Sequence, residues 1–117
     1  MRLLVCGDRN WQDYTLVLQE VIALHPDIVI EGAVRGADTM GRTAAYTIGA
    51  EVIAFPAQWN KYGRAAGPIR NQLMLTEGKP DMILAFHDSI TSSRGTADMI
   101  RRAKLAGVPT KLVSHAK

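Results

Sequence analysis

Residues 81–107, DMILAFHDSITSSRGTADMIRRAKLAG, carry the pattern that organises the whole chain. An apolar run, DMILAF (81–86), stops at His87. Polar and small residues follow, then Arg94-Gly95-Thr96, then TADMIRRAKLAG (96–107), which has helical apolar spacing and stops at Gly107. A strand that passes through a glycine-bearing turn into a helix is the repeating unit of a parallel α/β sheet. Such a turn also exposes the first N–H groups of the helix, where anions bind well. It is equally a way of simply reversing the chain.

The same unit recurs along the sequence. RLLVC (2–6) is an apolar run of strand formers ended by Gly7. YTLVLQEVIALH (14–25) places Tyr14, Val17, Leu18, Val21, Ile22 and Leu24 at helical spacing, with Asp13 as N-cap and Pro26 as the stop. DIVIE (27–31) is a second strand ended by Gly32, and ADTMGRTAAYTIG (37–49) a second helix whose small residues predict close packing on a sheet. EVIAF (51–55) is a third strand and PAQWNKYGRAA (56–66) a loop. GPIRNQLMLTEG (67–78) is a helix with Pro68 in its first turn, where a missing N–H costs nothing. TKLVS (110–114) closes the series as a fifth strand. The strands are near-continuous apolar runs, as expected when helices cover both faces of a parallel sheet. With right-handed crossovers this predicts one domain over 1–117: a doubly wound, mainly parallel five-stranded sheet with helices on both faces.

Bulk properties narrow the function classes. The chain has 117 residues, 47% apolar and 21% charged, with a formal net charge of +3. That permits an anionic ligand, but the dense Lys/Arg runs of a dedicated non-specific DNA binder are absent. One cysteine, Cys6, lies in the first apolar run, which predicts a buried thiol and fits a reducing cytoplasm. No stretch is long enough to span a membrane, and the apolar run at the N-terminus is too short for a signal peptide, so a cytoplasmic location is expected. His25, His87 and His115 are scattered, which argues against a metal site, and no cofactor is implied.

In a doubly wound sheet ligands bind outside the carboxyl ends of the strands, where strand order reverses. Four segments fall there. GDRNWQD offers Gly7 for close backbone approach, Arg9 for a phosphate, and Trp11 either to cover a base or to pack on the first helix. EGAVRGAD offers Gly32, Arg35 and Gly36, with Asp38 either capping a helix or accepting from ribose hydroxyls. AQWNKYGRAAGPIRN interleaves Trp59 and Tyr62 with Arg64, Arg70 and Asn71, a composition suited to a base or nucleotide, or a loop pinned by its aromatics. Arg70 in a first helical turn opposes the helix dipole, so it is expected to meet an anion, either a ligand or an acidic side chain. The last segment offers Ser92, Ser93, Arg94, Gly95 and Thr96, with Thr96 alternatively only an N-cap. His87 has no recognisable nucleophile as partner and reads as structural. No GxGxxG fingerprint or P-loop is present.

EGAVRGAD, AQWNKYGRAAGPIRNQLM, DMILAF and SRGTADMI together resemble the SLOG superfamily, which unites DNA-processing DprA-like domains with the LOG cytokinin-activating phosphoribohydrolases. The similarity runs from Gly7 to about Pro109 and is greatest to the small YspA-like, YpsA-related SLOG proteins of bacteria and phages. The resemblance implies a Rossmann-like sheet that binds a nucleotide or nucleotide derivative, with phosphate near Ser93-Arg94-Gly95-Thr96, and commonly a homodimer. LOG enzymes carry an Arg-Lys pair before the fourth strand and a PGGxGTxxE motif after it. Arg70-Asn71 falls on the pair and SSRGTADM on the motif, so Arg70 matches the catalytic arginine. The motif's glutamate falls on Met99, whose thioether does no acid–base work. Asp98, one residue earlier, matches an acidic neighbour in many LOG sequences and is the second catalytic candidate. It lies about 100° around the helix from Met99, so it does not simply replace that glutamate.

Three functions follow as alternatives. The first is a sensor, carrier or sequestering protein for a nucleotide-derived small molecule. The second is a phosphoribohydrolase that cleaves the N-glycosidic bond of a nucleoside monophosphate, using Asp8, Asp38, Asp88 or Asp98. The third is DprA-like binding of single-stranded nucleic acid.

Overall fold

The computed structural model describes residues 1–115. Five strands, β1 (Arg2–Gly7), β2 (Ile28–Glu31), β3 (Glu51–Ala54), β4 (Met82–Phe86) and β5 (Thr110–Val113), form one sheet in the order β3-β2-β1-β4-β5. Every pairing is parallel, so the expected mainly parallel sheet is wholly so. The helices are α1 (Tyr14–Leu24), α2 (Ala37–Ile48), α3 (Trp59–Tyr62), α4 (Ala66–Thr76) and α5 (Gly95–Leu105). The fold is Rossmann-like α/β. The chain builds outward from β1 to β3, then returns to the other side of β1 for β4, so strand order reverses between β1 and β4.

Alternation along β1 divides the core in two. Leu3 and Val5 face Val17 and Val21 of α1 and Ala44 and Ala45 of α2. Leu4 and Cys6 face Met74 and Leu75 of α4 and Met99 and Ala103 of α5. Each such aliphatic side chain taken fully out of water contributes about 1.5–3 kcal/mol. The small residues of α2 serve approach: a Cβ on Gly41 would lie 2.7 Å from Val5 Cγ1. Burial pushes the Cys6 thiol far above its ordinary range, so it is an inert core group.

Several element ends differ from the sequence expectation. α1 stops at Leu24, and His25 takes a left-handed conformation (φ 49°) that lets its N–H satisfy the Val21 carbonyl. The 56–66 segment is not plain loop. Gln58 O accepts from the N–H groups of Lys61 and Tyr62 to start α3, and a 3-10 turn over Gly63–Ala65 leads into α4 at Ala66. Between β4 and α5, Ile90–Ser92 forms another 3-10 turn.

Candidate functional site

β1 and β4 run in register from Leu3 opposite Met82 to Gly7 opposite Phe86, and end together. Gly7 allows that ending. Its φ is 153°, and a Cβ there would lie 2.2 Å from the Phe86 carbonyl oxygen and 2.8 Å from Ala37 Cβ. Asp8 N–H then donates to the same carbonyl (2.8 Å). Gly36, with φ 84°, brings the second loop against the first: a Cβ would meet Asp8 O at 2.4 Å and Arg9 O at 2.5 Å. Beyond these strand ends opens a cavity of about 610 Å³, walled by the loops after β1 and β4, by α4 and by the first turn of α5.

Arg70 projects from α4 to the carboxyl ends of β2 and β3. Its Nη1 donates to Gly32 O (2.5 Å) and more weakly to Phe55 O (3.4 Å), and its Nε donates to Asn71 Oδ1 (3.0 Å). Gly32 makes room, since a Cβ there would lie 2.4 Å from Arg70 Nη1. Arg70 forms no ion pair among the described residues, so the acidic partner considered for it is replaced by carbonyls. Asp38, only 5% exposed, feels the Arg70 charge, and its Oδ2 accepts from Gly32 N–H (3.0 Å). Burial pushes the Asp38 carboxyl up to about 7; Arg70 and the N–H groups of Gly32 and Val34 pull downward, and Glu31 adds to the rise. Asp38 therefore folds the Gly32–Gly36 loop onto its own helix. Its carboxylate accepts from Gly32 and Val34, which precede the helix, so capping is not Asp38's role.

The mouth of α5 is built by Ser93. Its Oγ accepts from Thr96 N–H (3.1 Å) and Ala97 N–H (3.4 Å), so Ser93 and not Thr96 caps the helix. Thr96 is buried in the first turn. The Gly95 N–H has no acceptor among the described residues. Gly95 itself has no left-handed φ, and a Cβ there would meet nothing within 4 Å.

Of the sequence candidates, Gly7, Asp8, Arg9, Asp38, Trp59, Arg70, Asn71, Ser92, Ser93, Arg94, Gly95 and Thr96 line the cavity. Gly32, Gly36, Arg35 and Asp98 do not. Gly32 and Gly36 act behind it, as spacers for Arg70 and for the first loop. Arg35 is exposed and bonds Asn10 Oδ1 (3.0 Å). Asp98 faces away, tied by Arg101 Nη2 (2.5 Å), Arg102 Nε (2.8 Å) and Asn71 Nδ2 (3.0 Å). Burial acts to raise the Asp98 carboxyl, but those three donors outweigh it and hold it below the usual range. A carboxylate so occupied, outside the cavity, is not poised for proton transfer. Trp11 is 5% exposed and packs on Phe86, so it is a core residue and is not placed to cover a base. Sequence reasoning missed the apolar floor of Cys6, Val34, Met74 and Met99. Met74 and Met99 are core residues by periodicity, and only their place at the end of the core brings them to the cavity.

A second polar cluster joins distant segments. His115 Nε2 meets Asp13 Oδ2 (2.7 Å), its Nδ1 meets Asp88 Oδ2 (2.9 Å), and its ring stacks on Trp11 at 4.6 Å. Only an imidazolium donates from both nitrogens. Asp88 first, then Asp13, hold the His115 pKa above its ordinary value, and the His115 bonds hold both carboxyls below theirs. The His115 contribution is full below its ordinary value of 6.5 and is lost as pH rises through the raised value. The carboxylate contributions are full above 3.8 and are lost as pH falls through the lowered values. The melting-temperature difference between the protein and His115→Gln is therefore expected to be largest near pH 5–6 and to shrink toward pH 9. A difference that stays level across that range would remove the imidazolium from the account.

The family model described as YAcAr: YspA, cpYpsA-related SLOG family matches residues 1–62. Among solved structures, the X-ray structure of DNA processing protein A (DprA) from Streptococcus pneumoniae superposes with a TM-score of 0.74 at 16% sequence identity. The superposition covers 98% of this chain and 50% of that one, so the chain spans half the length of that protein. At this identity the likeness is one of fold. A search of curated protein sequences finds no match.

Proposed function

The chain belongs to the YspA, cpYpsA-related SLOG family, and from that premise we propose that it binds a nucleotide or nucleotide-derived small molecule at the carboxyl edge of its sheet, as a sensor, carrier or sequestering protein. The observation that carries this reading is the convergence of Arg9, Arg70 and Arg94 with the first turn of α5 on one cavity at the strand switch point. The phosphate would lie at the Gly95 N–H, with Arg70 and Arg94 as charged donors. Trp59, 56% exposed at the rim, offers a face for the base. A reducing, cytoplasmic setting fits the single buried thiol. Among the described residues no helix is long and apolar enough to cross a membrane. The homodimer expected from SLOG relatives is open to sedimentation analysis.

Gly95→Val tests the turn. With open space at its Cβ and no left-handed φ, the variant is expected to fold with a melting temperature close to that of the parent. It should lose the thermal stabilisation given by nucleoside mono- and diphosphates, because the isopropyl group stands where the anion approaches the helix. Full stabilisation in the variant would take this turn out of the site.

Asp38 favours a second reading, N-glycosidic hydrolysis of a nucleoside monophosphate. Its carboxyl, raised to about 7 inside the cavity, is matched to proton transfer near neutral pH. Asp98 has no part in it. Free base released from adenosine monophosphate at ordinary enzymatic turnover, and lost on Asp38→Asn, would establish that reading over binding alone. The third alternative, single-stranded nucleic acid, draws on exposed Trp59 and Tyr62 beside Lys61 and Arg64. Salt-dependent binding of an oligonucleotide, lost on Trp59→Ala, would establish it.

A further inference from the structure

Asn71 and Asp98, which join α4 to α5 behind Arg70, have no role in the reading above, and their geometry is specific. Asn71 is only 4% exposed and every polar atom of its amide is used. Its Nδ2 donates to Asp98 Oδ2 (3.0 Å) and to the Gly95 carbonyl (3.2 Å). Its Oδ1 accepts from Arg70 Nε (3.0 Å). Asp98 and the Gly95 carbonyl only accept, and a guanidinium only donates, so the amide has one permitted orientation. Reversing it would set its oxygen against a carboxylate and its NH₂ against a cation.

Asp98 is held in turn. Arg102 Nε and Arg101 Nη2 fix its two oxygens, and Arg102 Nη1 crosses to Gln72 Oε1 on α4 (3.0 Å). The series Arg102, Asp98, Asn71, Arg70 thus runs from the outer face of α5 to the cavity wall. At the cavity end Arg70 is also bound to the Gly32 carbonyl, which directs the guanidinium across the ends of β2 and β3. Among the described residues its Nη2 has no partner, which leaves that donor for the cavity.

The structure assigns Asn71 and Asp98 as positioning residues: Asp98 locks the Asn71 amide, and Asn71 both aims the Arg70 guanidinium and ties the first residue of α5 to α4. The two anion-binding elements of the site are thereby held at a fixed separation. Neither residue is a catalytic residue. Asn71 lines the cavity but its polar atoms are occupied, and Asp98 lies outside it. This assignment rests on the proposed anion site for its functional meaning, although the relay itself has a readout that needs no ligand.

Two measurements test it. The first is the ¹H–¹⁵N spectrum of arginine Nε–H groups without ligand, the Arg70 signal being identified by its loss in Arg70→Lys. Asp98→Ala, which touches nothing on Arg70 directly, is expected to shift or broaden that signal, as is Asn71→Ala. An Arg70 signal unchanged by Asp98→Ala overturns the relay even if Asn71→Ala fails to fold. The second is calorimetric titration with adenosine monophosphate. Asn71→Ala should weaken binding about tenfold in the parent protein and only about two- to threefold in an Arg70→Ala background, where the tie of Gly95 to α4 is all that is left to lose. Equal losses in both backgrounds would make Asn71 a merely structural residue and overturn the assignment. A parent protein that binds no nucleotide while the Arg70 signal responds to Asp98→Ala sinks the proposed ligand and leaves the relay standing.

Discussion

Gly7→Ala is expected to destabilise the protein by about 3 kcal/mol or more. Two costs add. Alanine at φ 153° occupies backbone space that a side chain rarely adopts. Its Cβ would also stand 2.2 Å from the Phe86 carbonyl oxygen and 2.9 Å from the Phe86 nitrogen, and both are backbone atoms of the adjacent strand that cannot rotate away. Relief requires parting β1 from β4 at their carboxyl ends, where Asp8 N–H bonds the same Phe86 carbonyl at 2.8 Å. In a domain of this size the loss corresponds to a fall in melting temperature of roughly 10–20 °C. Gly95→Ala is the control, with nothing within 4 Å of its Cβ, and should melt within a degree or two of the parent. Equal melting temperatures for Gly7→Ala and the parent would mean that the strand switch point is not built as described.

Arg70→Ala is expected to weaken nucleotide binding ten- to a hundredfold, since a charge-assisted hydrogen bond to phosphate contributes about 1.5–3 kcal/mol. The variant will also lose some stability, because Arg70 bridges the carboxyl ends of β2 and β3 through Gly32 O and Phe55 O. The two losses separate when titration is run beside an unfolding curve. An affinity per folded molecule equal to the parent's would reduce Arg70 to a clasp between strands. Arg70→Lys keeps the charge and loses the Nε–H that Asn71 accepts, so it should fall between the parent and the alanine variant.

The alternation of strands and helices was legible because each element carries its own signal. Runs such as DMILAF (81–86) read as buried strands and the spacing in 14–25 as a helix without reference to the rest of the chain. The place of the cavity was legible for the same reason, since a doubly wound sheet brings its strand-end loops to one edge. Strand order was not legible, because nothing local records which edge of β1 receives β4. Asp98 was misassigned for a related reason. Arg101 and Arg102 stand three and four residues on, the spacing of helical ion pairs, and that signal pointed away from the cavity. Thr96 stood at the expected start of the helix, yet the chain turns helical at Gly95, early enough for Ser93 to cap it. His115 meets Asp13 across 102 residues, and no periodicity encodes that separation.

A nucleotide-like anion is expected to bind between β1, α4 and the first turn of α5. Backbone amide shifts during titration with adenosine monophosphate test it most directly. Saturable shifts are expected at Asp8, Asn71, Gly95 and Thr96, greatest at Gly95, with the α1 and α2 face unmoved. Shifts confined to the α1 and α2 face, or none with any nucleoside mono- or diphosphate at millimolar concentration, would contradict it.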